Sequence, residues 1–231
     1  MTPQFTGDNR EPSMLLMLDY DGVIVDSKDL MARLFIKALK RNGFYGISTV
    51  DEIIALCDGN AYNALIAMGL SDKQINEIYL DYAELMASSS ERAPLFRGVR
   101  EVLRDLQCIS YLYIVTSTAR SVVENTLVSN KIDSVDGVFG SDFERNKALK
   151  IKHLMARHSG LRAFYVGDTT SDLIESHRAG AVAIAAEWGW HSVGKLTEGG
   201  PAFFLKSPYM LPYLLRRLAF TAKKTMAEQV S

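Results

Sequence analysis

Cysteine is scarce in this chain: Cys57 and Cys108 are the two, and they lack the spacing of metal ligands. Both lie in apolar segments, so they are expected as buried free thiols in a reducing compartment. Neither sign of charge prevails, with 26 Lys and Arg against 27 Asp and Glu and a net charge of -1. That excludes a general field for gathering nucleic acid or an acidic membrane surface, so any bound anion must be held by a local site. Long hydrophobic runs are missing too. Met1 to Ser13 is mostly polar, and the first apolar run, Met14 to Leu18, is too short for a signal-peptide core or a membrane span. The expected location is the cytoplasm. No internal repeat or low-complexity tract interrupts the 231 residues, and the hydrophobic share of 48% is enough to bury a sizeable core.

What is present alternates. Met14 to Leu18 is a continuous apolar run that stops at Asp19, as in a strand covered on both faces. Apolar residues at Leu30, Leu34, Phe35, Ala38 and Leu39 recur at helical spacing, with Asp26 and Ser27 as N-caps ahead of them. The pattern stays helical through Val50 to Leu56, Ala61 to Met68 and Asp72 to Met86, without a strand. After Gly98 it predicts a helix at Val99 to Leu106 and a strand at Tyr111 to Val115. A helix at Ser121 to Val128, a strand at Gly137 to Gly140 and a helix at Ala148 to Arg157 follow. Ala163 to Val166 and Ala181 to Ala185 read as strands, Asp172 to Arg178 and Leu211 to Ala219 as helices, and the tail after Lys223 is expected to fray. Such alternation predicts an α/β fold, a Rossmann-like doubly wound parallel sheet, with an inserted small helical domain. The expected catalytic core is residues 14–27 and 95–220, and the insert residues 28–94.

In an open α/β sheet, ligands sit beyond the carboxyl ends of the strands, so residues just after the strands should converge. Here these are Asp19 and Asp21, Thr116 and Ser117, and Asp168 with Asp172. Carboxylates gathered so closely would repel one another and take up protons unless a cation sits among them, and an all-oxygen set suits magnesium. The metal would also screen an approaching phosphate from the carboxylates.

The segment Leu18-Asp19-Tyr20-Asp21-Gly22-Val23 resembles the first motif of haloacid dehalogenase-like phosphatases, a hydrophobic strand followed by D-x-D-G-V. The resemblance implies that Asp19 attacks phosphorus to form an aspartyl-phosphate, while Asp21 protonates the leaving oxygen and then takes a proton from water. Tyr20 is expected to point into the core, and Gly22 to permit the tight turn that brings Asp21 over the site. Ile114-Val115-Thr116-Ser117 resembles the second motif, whose Thr116 hydroxyl and following N–H groups, those of Ser117 and Thr118, would hold phosphoryl oxygens along with Gly22. Gly167-Asp168-Thr169-Thr170-Ser171-Asp172 resembles the fourth, GDxxxD. It implies a magnesium site drawing on Asp19, Asp21, Asp168 and Asp172, with Asp172 a direct ligand, an outer-shell partner or a helix cap. The family's lysine falls at Lys147 by position, but no prolines follow it, and Lys150 aligns as well.

Asp21 separates phosphoryl transfer from dehalogenation and from phosphonate cleavage, whose enzymes generally lack an acid there. A phosphomutase of the same fold, or a silent phosphate-binding protein, stays open as an alternative to hydrolysis. Ala179-Gly180-Ala181 and Glu187-Trp188-Gly189-Trp190-His191 resemble the tail of phosphoglycolate-phosphatase-like members, which favours a magnesium-dependent phosphatase of a small phosphorylated metabolite, monomer or homodimer. The insert matches the family's helical cap, with Asp58, Gly59, Asn60 and Arg92 as polar candidates on its inner face. Arg97 is expected as a solvated hinge residue, Trp188 and Trp190 as packing residues, and the four histidines as satisfied or surface groups.

Overall fold

A computed structural model of the chain describes residues 12–57, 61–89 and 91–230. Six strands form one parallel sheet in the order β3-β2-β1-β4-β5-β6. They are β1 (Met14–Leu18), β2 (Ser110–Val115), β3 (Gly137–Phe139), β4 (Arg162–Gly167), β5 (Val182–Ala186) and β6 (Phe203–Leu205). The chain winds outward from β1 in both directions, so the switch point lies between β1 and β4. There Leu18 pairs with Val166, and the Asp19 amide donates to the Val166 carbonyl at 2.9 Å.

Strand β1 shows why its run is unbroken. Met14, Leu16 and Leu18 face a core shared with α5 (Val99–Leu106), α6 (Arg120–Ser129) and α10 (Met210–Val230). Leu15 and Met17 face the opposite core, shared with α7 (Lys147–Arg157) and α8 (Thr170–Ala179). With a period of two and helices on both sides, every position is apolar.

The helical stretch comprises α1 (Lys28–Arg41), α2 (Val50–Cys57), α3 (Ala61–Ala67) and α4 (Asp72–Ser88). These helices bury a core of their own, including Phe35, Leu39, Leu65, Ile75 and Ile78, with α1 and α4 packed together. Ser27 stands at the N-cap of α1 as expected, but its hydroxyl makes no capping bond. Ser71 does cap α4, in a reciprocal pair with Gln74. The chain passes into and out of these helices through two adjacent segments: the Asp26 amide donates to the Pro94 carbonyl at 2.8 Å, and the Phe96 amide to the Ile24 carbonyl at 3.0 Å.

Three sequence expectations need correction. Cys108 is exposed, not buried, because α5 ends at Leu106 and the turn that follows breaks the helical periodicity. Its thiol donates to the Arg104 carbonyl at 3.8 Å. The Cys57 side chain, like Asp58, Gly59 and Asn60, lies outside the described residues. A short helix α9 (Val193–Glu198) and strand β6 were not foreseen, and α10 runs past Ala219 and through the segment after Lys223 to Val230. Arg97 is exposed, as expected. Among the described residues, no helix is long and apolar enough to cross a membrane.

Candidate active site

The ends of β1, β2 and β4 and the starts of α7 and α8 enclose a cavity of about 600 Å3. Its walls include Asp19 and Asp21 after β1, Thr116, Ser117 and Thr118 after β2, Asp168 after β4, and Lys147 and Asp172 at the helix starts. Residues up to 153 positions apart in sequence, Asp19 and Asp172, thus meet because parallel strands all present the same end.

The turn after β1 separates alternate side chains. Tyr20 points into the core, where its hydroxyl shares a 2.7 Å hydrogen bond with Thr126 Oγ1. Asp19 faces the cavity and accepts from the Tyr20 amide at 2.8 Å through Oδ1. Asp21 accepts from the Thr118 hydroxyl at 2.5 Å, which ties the first motif to the second. Gly22 closes the turn at φ +76°, donating its amide to the Val25 carbonyl at 2.9 Å. It is not part of the cavity wall; a Cβ there would lie 1.9 Å from Asp168 Oδ2 and 2.7 Å from the Trp190 ring. Glycine is required twice, for its backbone conformation and for the carboxylate that fills the space beside it. Gly22→Ala is therefore expected to lower kcat/KM at least about tenfold and to reduce stability by about 1–3 kcal/mol. Kinetics and thermal melts check both; a variant matching wild type in each would contradict this account of the turn.

Asp19, Asp168 and Asp172 form a buried three-carboxylate group, each offering an oxygen within 4.8 Å of the others. The Asp21 carboxylate, expected to be a fourth ligand, is not in that group, being turned to Thr118. Burial raises the Asp19 pKa to about 7, against the pull of Lys147 and with further repulsion from Asp172 and Asp21. Burial, with Asp172 and Asp19 nearby, likewise drives Asp168 well above the usual carboxylate range. Asp21 is raised too, chiefly by burial and against the Thr118 hydrogen bond. For Asp172, burial acts upward but is outweighed by the Lys147 ammonium and by hydrogen bonds from Lys147 and Thr169, so it is lowered. Burial and mutual repulsion thus push Asp19, Asp21 and Asp168 toward the protonated form, while Lys147 and Thr169 hold Asp172 toward the charged one.

A divalent cation fits this set. Asp168 Oδ2 accepts from the Trp190 amide at 2.8 Å, but Asp168 Oδ1 is buried with no hydrogen-bond partner. An orphaned carboxylate oxygen beside two further carboxylates has the chemistry of a ligand to such a cation.

Lys147 and Lys150, three residues apart on α7, share a face but divide their work. Lys147 donates to Asp19 Oδ2 at 3.0 Å and to Asp172 Oδ1. Burial would lower its pKa, yet Asp172 and Asp19 outweigh that and hold it well above normal. Lys150 is fully buried and donates to the carbonyls of Thr116 at 2.5 Å and Gly140 at 3.2 Å. Asp172 also forms a reciprocal cap with Thr169, so its capping and site positions coincide.

The tryptophans part company as well. Trp188 packs on the core and donates to the Val23 carbonyl at 3.1 Å, as expected of a packing residue. Trp190 lines the cavity instead, with Met31, Tyr82 and Met86 from α1 and α4. Sequence reading left out the three residues of α1 and α4 and took Trp190 for a packing residue; the one signal was the Trp-Gly-Trp segment, where Gly189 allows close approach to Asp168. Arg92 is exposed and donates to the Ser89 and Glu91 carbonyls. All four histidines are engaged by neighbours and none is in the carboxylate group: His153 by Phe139 and Phe143, His158 by Tyr113, His177 by Gly200 and His191 by Thr170.

Acids from two strand ends, hydroxyls from a third and a buried lysine define a hydrolase of the Rossmann-like α/β class. A family model described as haloacid dehalogenase-like hydrolase matches residues 16–186, and the chain belongs to that family. It is 27% identical over 199 residues to "Probable phosphatase IndB" of Dickeya dadantii, covering 81% of this chain and 86% of that protein. It is 25% identical over 205 residues to a phosphoglycolate phosphatase of Pseudomonas fluorescens, covering 83% and 75%. A solved haloacid dehalogenase-like hydrolase from Streptococcus pneumoniae superposes with a TM-score of 0.76 at 26% identity, covering 87% of this chain and 98% of that one.

Proposed function

We propose that this protein is a magnesium-dependent phosphatase that hydrolyses a small phosphorylated metabolite through an aspartyl-phosphate on Asp19. Its setting in this reading is the cytoplasm, and helices α1 to α4, within residues 28–94, act as a cap over the site. The observation that carries the reading is the meeting of Asp19, Asp21, Thr116 and Lys147 in one cavity at the switch point of the sheet. The relatives named as phosphatases support it.

The phosphoryl oxygens are held by the Thr116 hydroxyl and the Ser117 N–H group, the Thr118 amide donating to Thr116 Oγ1 at 3.1 Å and so orienting that hydroxyl, and the Lys147 ammonium offsets the charge that builds on them. An Asp19 carboxylate oxygen attacks phosphorus. The bond to the leaving oxygen breaks, and Asp21 delivers its proton to that oxygen, so the product leaves as an alcohol. Asp21, now a carboxylate steadied by the Thr118 hydroxyl, takes a proton from water as the water oxygen attacks phosphorus. Inorganic phosphate departs and the Asp19 carboxylate is restored. Magnesium, held by Asp19, Asp168 and Asp172, would supply positive charge that keeps these carboxylates ionised and offsets the incoming phosphate.

The test is phosphate release from phosphoglycolate, sugar phosphates and other phosphate monoesters, with magnesium and with chelator. The expected outcome is release that falls at least about a hundredfold on chelation and returns with excess magnesium. Full activity in chelator would refute the metal assignment. An isomeric sugar phosphate in place of inorganic phosphate would identify a mutase.

A further inference from the structure

Building on the phosphatase reading, we infer that the group esterified to the phosphate is uncharged and apolar, about the size of a benzyl group, and is received by a carbon-lined pocket among α1, α2 and α4. The catalytic cavity continues beyond the phosphoryl site along Met31, Tyr82, Ala83, Met86 and Trp190. Three of these, Met31, Tyr82 and Trp190, also line a second space of about 140 Å3, so the two spaces adjoin there. Its other walls include Phe35, Ile54 and Tyr79. A dry apolar cavity of about 150 Å3 is enough to hold one benzene ring.

No cation waits in this direction for a second anionic group. Among the described residues lining either space, the cations are Lys147 and Lys28. Lys147 is bound to Asp19 and Asp172, and Lys28 meets the second space along its aliphatic stem, since that lining is carbon almost throughout. Glu175 adds negative charge to the first cavity, with Oε2 buried and unpartnered. Arg92 lines a smaller space of about 60 Å3 on the Asp21 side, apart from the second space, and its Nη1 donates to the Ser89 and Glu91 carbonyls. A carboxylate on the leaving group would lose water here and gain no partner, whereas an apolar group gains by leaving water.

The experiment compares kcat/KM for benzyl phosphate, ethyl phosphate and phosphoglycolate with saturating magnesium. All three carry phosphate on a CH2–O group, so the comparison reads how the leaving group is held more than how readily it departs. Benzyl phosphate is expected to exceed ethyl phosphate at least about thirtyfold and phosphoglycolate at least about a hundredfold. Ile54→Trp, which fills the second space, should bring benzyl phosphate within about threefold of ethyl phosphate. Ala83→Arg, at an exposed helix position on the cavity wall, should raise phosphoglycolate relative to benzyl phosphate at least about tenfold. Phosphoglycolate ahead in the unmodified protein would overturn the inference while leaving the phosphatase reading standing. Loss of that lead in Arg92→Gln would then assign the preference to the Arg92 guanidinium. Phosphate release from no substrate at all would defeat the phosphatase reading and this inference together.

Discussion

Asp19→Asn is expected to lower kcat by at least about four orders of magnitude while the protein stays folded. An amide oxygen is a poor nucleophile toward phosphorus, and no other described side chain stands where Asp19 does, between Lys147 and the strand-end hydroxyls. The fold should tolerate the change because the wild-type carboxylate is itself costly there. Burial lifts its pKa to about 7 despite the neighbouring ammonium, and a neutral amide escapes that penalty. Lys147 keeps Asp172 as a partner. Single-turnover phosphate release, with thermal melts in chelator, checks both halves. Turnover within about a hundredfold of wild type would remove Asp19 from the nucleophile's role.

The second large effect separates two lysines that look interchangeable in sequence. Lys147→Met should cost about 10²–10³ in kcat in magnesium, since it deletes the buried cation beside the attacking carboxylate. Lys150→Met should instead show itself in the melt. Its ammonium donates to the carbonyls of Thr116 and Gly140; Gly140 keeps the Phe143 amide as a donor at 3.3 Å, so the loss falls on the buried Thr116 carbonyl and costs about 1–3 kcal/mol. Its kcat, measured on folded protein, should fall less than that of Lys147→Met. The reverse pattern would exchange the two roles.

The legible parts of the molecule share a physical cause. Strands β1, β2 and β4 are apolar runs that stop abruptly at an acid or a hydroxyl, because both faces are buried and the ends open onto the cavity. Fold and strand-end residues follow from that alone. The choice between Lys147 and Lys150 did not, since residues three apart share a helix face and only the third dimension shows which reaches Asp19. Strand β6 was illegible for another reason. It is three residues long, follows Gly199-Gly200-Pro201, and exists through its pairing with β5. Helix α9 buries one residue, Leu196, too few for a period. The apolar wall of Met31, Tyr82 and Met86 was hidden because residues that line a cavity and residues that fill a core have the same composition.

One feature of the backbone bears on how such a protein can change. The segments at Ile24–Asp26 and Pro94–Phe96 run side by side and hydrogen-bond to each other, so everything between them leaves and rejoins the sheet at one place. To the strands, that whole stretch of helices is a single loop, and the cost of closing a loop grows only slowly with its length. Another set of helices spliced in at this point would inherit Asp19, Thr116 and Asp168 unaltered and surround them with different company. In the proposed reading, the chemistry on a substrate and most of the wall that meets its leaving group are thus written in separate stretches of the chain, with Trp190 the tie between them.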